Sequence, residues 1–163
     1  MAILKLMLVG FTDSLPQFTL VNRYQKMVAD GKWGKCKRGK CADKDPLPNA
    51  APRVIESDQY GHAKMMSPDP ANPNQRWVEL DDGIIVNVGT RMPLGAGGGR
   101  SWTFTGKRDF KFLEMSHRSG GPKAKGWGVY CGRQMADGER CYARQIGSFD
   151  PALQWYKTPV LHM

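Results

Sequence analysis

The first apolar run of the chain covers residues 2–11, AILKLMLVGF, in which Lys5 is the only charged side chain. Because apolar residues occupy both alternating sets of positions, the run predicts a strand that is buried on both of its faces. It is shorter than the roughly 18 apolar residues that suggest a membrane span, and no small-residue cleavage site follows it. We therefore expect a protein made in the cytoplasm without a signal peptide and without a membrane span.

Residues 12–34 predict the one helix of the chain. Asp13 or Ser14 is a suitable N-cap, Pro16 falls in the first turn and Gly31 lies beyond the end. Apolar and amide side chains recur near helical spacing and form one stripe along its face: Phe18, Val21, Tyr24, Gln25 and Val28.

Two hairpins stand out among the strand patterns. The clearer one joins RWVEL, which ends at Leu80, to IIVNVGTRM, which begins at Ile84, through the turn Asp82-Gly83. The other joins 126–135 to 139–147 through Asp137-Gly138. In both, an Asp-Gly pair supplies the backbone conformations that a tight turn requires.

Weaker strand patterns cover residues 53–66 and 101–115. Near the C-terminus, Ser148 or Asp150 can cap a short helical turn whose first position is Pro151. The 19 glycines and 11 prolines of the chain favour short elements joined by many turns. We therefore predict a β-rich α+β protein with one N-terminal helix and a mainly antiparallel sheet or barrel of about seven short strands, and we treat 1–163 as a single domain.

The formal net charge of +9 predicts attraction to polyanions, such as nucleic acid or an acidic protein surface. Five basic residues fall within the ten residues of KWGKCKRGKC, 32–41, and another basic region covers 100–125. The predicted partner- or polyanion-binding residues are Lys32, Lys35, Lys37, Arg38, Lys40, Arg100, Lys107, Arg108, Lys111, Lys123 and Lys125.

Aromatic residues lie among the basic ones in the second region. They can stack on bases in a nucleic-acid-binding surface, or they can form the inward face of the strands. Alternation favours the core position, because the members of each pair share one parity: Trp102 with Phe104, and Phe110 with Phe112.

Four cysteines form two pairs, Cys36 with Cys41 and Cys131 with Cys141. A two- or three-residue turn at Asp137-Gly138 would not place the second pair directly opposite, so neither a comfortable local disulfide nor a zinc knuckle follows from it. The pattern favours buried or free thiols. Disulfides formed after release from the cell are the alternative, followed by zinc.

The sequence carries no complete catalytic or cofactor signature. In LGAGGGRSW, Arg100 stands where a dinucleotide fingerprint needs its third glycine, and Gly106-Lys107 is not followed by Ser or Thr as a Walker loop requires. We therefore interpret this glycine-rich segment as a flexible connection between strands. Glu114, His117 and Arg118 are residue types that ribonucleases use, but an extended strand would place Glu114 and His117 on opposite faces. We expect no enzyme activity, no cofactor and no bound metal.

Two hypotheses of function remain. The first is a structural or assembly protein that docks on other subunits through its basic surface, such as a decoration, tail, collar or adaptor component of a phage or virus particle. The second is a small basic nucleic-acid-binding protein or a nuclease-like toxin. The first is favoured by the absence of catalytic motifs and by the turn-rich β composition, and it adds the virion as a final location.

Overall fold

The computed structural model describes residues 15–30, 52–97, 102–105, 110–115, 126–132, 136–145 and 150–160, and for 110–115 it describes the backbone alone. The strand predicted at 2–11 lies outside these residues. The described strands are β1 (Phe18–Asn22), β2 (Val54–Ser57), β3 (Ala63–Met66), β4 (Trp77–Glu79), β5 (Ile85–Asn87), β6 (Trp102–Thr105), β7 (Phe110–Met115), β8 (Trp127–Tyr130), β9 (Tyr142–Gln145) and β10 (Gln154–Pro159). The helix α1 covers Arg23–Ala29, and two 3-10 turns cover Pro73–Gln75 and Pro151–Leu153.

The helix is shorter than its apolar stripe predicts, because its expected first turns form β1 instead. Along this strand Phe18, Leu20 and Asn22 are buried while the residues between them are half-buried, which is the two-residue period of a strand. Asn22 then caps α1, since its side-chain oxygen accepts a hydrogen bond from the backbone N–H of Gln25. The described residues contain one α-helix, as predicted, but the predicted N-cap at Asp13 or Ser14 was wrong.

The sheet is antiparallel throughout its ladders. β1 pairs with β10 over five residues, from Phe18 opposite Pro159 to Asn22 opposite Trp155. Seven strands follow one another in the order β3-β2-β1-β10-β7-β8-β9, while β4 pairs with β1 and β5, and β6 pairs with β7. This confirms the β-rich antiparallel class, but the described ladders do not close into a barrel.

The first of the two predicted hairpins is present. Val78 lies opposite Val86, and the backbone N–H of Gly83 donates to the carbonyl of Leu80 across the turn. Gly83 has a φ of +89°, which the Asp-Gly pattern predicts for this position. The strand patterns at 53–66 and 101–115 are confirmed too, as the hairpins β2–β3 and β6–β7.

The second predicted hairpin pairs as β8 with β9, but the connection is not a tight turn. Its strands stop at Tyr130 and Tyr142, which lie opposite each other. The segment 138–141, which precedes β9, does not pair with β8. Its backbone bonds instead to the edge of β3 that is not paired with β2. The N–H of Met65 donates to the carbonyl of Glu139 at 2.8 Å, and the N–H of Cys141 donates to the carbonyl of Ala63 at 2.9 Å.

Three tryptophans fill the centre of the core, and all three are fully buried: Trp77, Trp102 and Trp155. The indole N–H of Trp77 donates to the carbonyl of Ile55, and that of Trp155 donates to the carbonyl of Val129, each at 3.1 Å. These bonds satisfy ring donors that would otherwise be costly to bury. The core position predicted for Trp102 is confirmed, and Phe104 is packed against the same core.

The glycine-rich segment is not a flexible connection in its first half. Leu94 is fully buried, Ala96 is 1% exposed, and the N–H of Ala63 donates to the carbonyl of Gly95 at 2.7 Å. The prediction of a flexible connection was wrong for 94–97, because the glycines there do not make the backbone flexible. They allow the backbone to approach β3 closely, and a side chain at Gly95 would collide with the carbonyl oxygen of Gly61.

Replacing Gly138 tests whether its backbone conformation holds 138–141 against β3. Its φ is +88°, and a Cβ added there would meet nothing within 4 Å, so the cost of a substitution is conformational. We expect Gly138→Val to lower the free energy of unfolding by about 1–3 kcal/mol. Gly138→Asn should cost less, because Asn tolerates this conformation. Urea denaturation measures both, and equal stability of the two variants would contradict this role.

Candidate functional site

Most of the basic residues predicted to bind a partner lie outside the described residues. These are Lys32, Lys35, Lys37, Arg38, Lys40, Arg100, Lys107, Arg108, Lys123 and Lys125. Lys111 lies on β7 opposite Trp155 of β10, and only its backbone is described. Cys36 and Cys41 also fall outside, as do His117, His162 and Arg118.

The described residues are nearly balanced in charge. They include ten Lys or Arg residues and eleven Asp or Glu residues, whereas the whole chain contains 24 and 15. The net positive charge is therefore carried by the sequence segments between the described ones. The described residues form a nearly neutral framework to which basic segments are attached.

One exposed face of the framework is nevertheless basic and aromatic. Lys64 of β3 lies opposite Arg140, and both face outward, since the neighbouring Ala63, Met65 and Cys141 are buried. His62, two residues before Lys64, and Tyr142, two residues after Arg140, are also exposed. The same alternation places both on that outer face. This face is therefore formed by β3 together with the segment that precedes β9.

Three residues of this face follow one another at every second position, and we call them the Arg–Tyr strip: Arg140, Tyr142 and Arg144. All three are exposed, while Cys141 and Ala143 between them face the core. Among the described residues, neither guanidinium forms an ion pair with a carboxylate. The strip can therefore offer two positive charges and an aromatic ring to a partner.

Tyr130 supports the strip from the neighbouring strand. Its ring meets that of Tyr142 edge to face, with the centroids 5.3 Å apart, and the guanidinium carbon of Arg144 lies 4.5 Å above the Tyr130 ring. Gly97 passes beneath, so close that an added Cβ would lie 2.7 Å from the backbone nitrogen of Ala143. These contacts restrict the positions of the Tyr142 and Arg144 side chains.

Asp58 orders the β2–β3 turn beside the strip. Its Oδ1 accepts hydrogen bonds from the backbone N–H groups of Tyr60 and His62, at 2.8 and 2.9 Å. Partial burial acts to raise the pKa of Asp58, but these two hydrogen bonds and the charges of His62 and Arg140 outweigh it. The pKa of the carboxyl therefore lies below its usual value, and Asp58 remains ionised beside the basic face.

The cysteines of the second hairpin form a disulfide, contrary to the expectation from a tight turn. Because Tyr130 lies opposite Tyr142, Cys131 lies directly opposite Cys141, with their Cα atoms 4.1 Å apart. The tight-turn registers were wrong because 138–141 pairs with β3 and not with β8. The β8–β9 ladder therefore stops at Tyr130 and Tyr142, next to the two cysteines. For Cys131 and Cys141, the preference for free thiols is therefore corrected.

The Arg–Tyr strip was missed because the density of basic residues is highest elsewhere in the sequence. The signal that could have identified it is alternation within ERCYARQ, where cysteine and alanine take one face and Arg-Tyr-Arg the other. Choosing the outward set required the disulfide, which fixes Cys141 inward. The strip also lacks the side chains of a metal centre, and no group of three His, Cys, Asp or Glu suitable for a metal occurs among the described residues.

Comparisons with known proteins identify a fold and no family. No family model matches the sequence, and no curated protein matches it. The structure is similar to the crystal structure of ThreeFoil, a designed 3-fold symmetric protein, with a TM-score of 0.54 and 13% sequence identity. The similarity covers 87% of this chain and 97% of ThreeFoil. The fold thus resembles that of a β-trefoil-like designed protein. In the described part of the chain, no helix is long and apolar enough to cross a membrane.

Breaking the disulfide should lower stability measurably. It closes a short loop, with the two cysteines 10 positions apart in sequence. The chain-entropy model for a loop of this size predicts a loss of about 3 kcal/mol in the free energy of unfolding. Reduction with dithiothreitol and the double variant Cys131→Ser, Cys141→Ser should give similar losses in urea denaturation. The matched variant Cys36→Ser, Cys41→Ser should keep the sensitivity of this bond to reduction. Full resistance of that control to dithiothreitol would contradict the assignment.

The Asp58 turn should give stability a specific dependence on pH. We expect Asp58→Ala to cost about 1 kcal/mol at neutral pH, because two backbone donors lose their acceptor. Asp58→Asn keeps an acceptor oxygen and should cost less. Because the folded-state pKa lies below the usual 3.8, the contribution of the charge is present above that value and is lost as pH falls through the folded value. Thermal melts from pH 7 to pH 2 should therefore show the deficit of Asp58→Asn shrinking in acid, and a deficit that grows would contradict this sign.

Proposed function

We propose that this protein is a non-catalytic structural or assembly component that docks on an anionic partner through its basic segments. A phage or virus particle, in which it would serve as a decoration, tail, collar or adaptor protein, is the assembly that we favour. The observation that carries the proposal is the separation of charge. The described residues include ten basic and eleven acidic ones, so the remaining segments hold all of the excess positive charge.

The points of attachment support a concentrated basic surface. Trp102 at the start of β6 lies opposite Met115 at the end of β7. Trp102 and Met115, to which segments 98–101 and 116–125 are joined, therefore lie at the same end of one ladder. Arg100 lies in the first of these segments, and Lys123 and Lys125 lie in the second. Charges attached at one place produce a stronger local potential than the same charges spread over the surface.

The disulfide supports a final location outside the reducing cytoplasm. Disulfides persist in secreted proteins and on virion surfaces, while cytoplasmic thiols are usually kept reduced. A protein made in the cytoplasm and released within a particle would oxidise Cys131 and Cys141 late. This sequence of events fits the virion component that we propose.

The finer architecture belongs to the same proposal. We favour a barrel in which the seven-strand path closes where β3 meets the chain entering β9. The backbone hydrogen bonds from Met65 to Glu139 and from Cys141 to Ala63 support this closure. A closed barrel has no exposed sheet edge, so the protein could assemble with its partner without uncontrolled pairing between strands.

The nucleic-acid-binding alternative has its own supporting observation, which is the exposed Arg–Tyr strip. Assembly components that meet packaged nucleic acid would combine both roles. The nuclease-like version of this alternative has no support among the described side chains, since those of Glu114, His117 and Arg118 fall outside them.

A charge-matched pair of variants tests the proposal. The triple change Lys35→Ser, Lys37→Ser and Arg38→Ser removes three positive charges from a basic segment. We expect it to elute from heparin at lower salt, because an electrostatic association weakens as cations are removed. The expected change in stability is small, about 0.5 kcal/mol or less for each surface substitution.

The control removes the same number of charges from the framework, through Lys26→Ser, Arg76→Ser and Lys157→Ser. It should elute from heparin close to the parent protein. Native mass spectrometry at low and high salt should then show larger assemblies for the parent and for this control, but smaller ones for the segment variant. Equal behaviour of the two triple variants, or a parent that is monomeric at every salt concentration, would refute docking through the basic segments.

A further inference from the structure

We propose that the Arg–Tyr strip binds single-stranded nucleic acid, with a base stacked on Tyr142 and neighbouring phosphates beside Arg140 and Arg144. This inference goes beyond docking by charge. It assigns a class of ligand to a surface made of described residues, none of which belongs to the basic segments used in the proposed function.

The spacing of the strip suits an extended strand of nucleotides. Residues at every second position of a β-strand are about 6.5–7 Å apart, so the two arginines lie about 13 Å apart with the tyrosine midway. Tyr142 is 47% exposed, one of two large apolar side chains among the described residues with such exposure. A phosphate on each side of a stacked base is the arrangement that this alternation of cation, ring and cation would fit.

The strip is held in place before any ligand binds. Cys141 is 6% exposed and disulfide-bonded to Cys131, so the chain between Arg140 and Tyr142 is fixed to the core. Tyr130 supports the Tyr142 ring and the Arg144 guanidinium from beneath. The Tyr142 and Arg144 side chains therefore have less freedom to lose on binding, which favours affinity.

Single strands fit this surface better than the other anionic partners do. In a duplex the bases are stacked on one another, so an exposed tyrosine would have no free base to contact. An acidic protein would be attracted by the arginines but would not require the ring. Tyr142 therefore distinguishes unpaired nucleotides from other polyanions, since stacking on an aromatic ring is tolerant of sequence and available to every base.

Fluorescence anisotropy with a labelled oligothymidylate of about 15 nucleotides, within the usual site size, tests the inference. The parent should bind it more tightly than it binds a duplex of the same length or a poly-glutamate peptide. Tyr142→Ala should weaken binding by about five- to 150-fold, the equivalent of one stacked base. Tyr142→Phe should restore affinity, because phenylalanine keeps the ring.

The salt dependence separates the ring from the charges. Arg140→Gln and Arg144→Gln should each reduce the slope of log affinity against log salt by about 0.7, the value for one phosphate contact on a single strand. Tyr142→Ala should leave the slope unchanged. The control Arg76→Gln removes a framework arginine whose guanidinium contacts the carbonyl of Pro70, away from the strip, and should change neither quantity.

Three results would overturn the inference: no binding of the oligonucleotide by the parent, unchanged affinity in Tyr142→Ala, or equal effects of Arg76→Gln and Arg144→Gln. None of them would affect docking through the basic segments, which is tested by heparin elution and by assembly size. Conversely, loss of the proposed assembly role would leave the oligonucleotide result intact. Thermal melts of every variant confirm that folding is retained.

Discussion

β1 is the strand on which the remaining sheet depends. One of its edges is occupied by β10 along all five residues, so β2 and β4 must share the other edge, at Val21 and Phe18 respectively. The inward side chains of β1 enter the tryptophan core, and its last residue, Asn22, caps α1 and donates a hydrogen bond to the carbonyl of Ala152. The end of this five-residue strand thus fixes both α1, which follows it directly, and the turn at Ala152, which lies 130 residues later in the chain.

The far ends of the sheet path depend on a second constraint, which is the disulfide between Cys131 and Cys141. It lies where the chain leaves β8, crosses to the edge of β3 and enters β9. By fixing Cys141 inward, it determines that Arg140 and Tyr142 face outward. The same bond therefore supports the fold and orients the surface for which we propose a ligand.

The third feature of the chain is the uneven distribution of charge along its sequence. The framework is nearly neutral, while the segments attached to it carry the excess of basic residues. A nearly neutral framework can fold without strong self-repulsion between its own charges. The Arg–Tyr strip differs from these segments because it presents only two charges, in a fixed geometry and around a ring.

By itself, the sequence determined the β-rich antiparallel class, the Asp82-Gly83 hairpin and the burial of Trp102, because each depends on alternation or on turn chemistry within a few residues. It also predicted the short turn that begins at Pro151, but left Ser148 and Asp150 as alternative caps, and in the structure the cap is Asp150. The sequence could not decide whether Phe18 and Val21 belong to a helix or to a strand, since apolar residues there satisfy parts of both periods. Only pairing with β10 decided that. Tertiary structure alone also placed Cys131 opposite Cys141 and Arg140 beside Lys64, because both depend on the bonding of 138–141 to β3, more than seventy residues earlier in the chain.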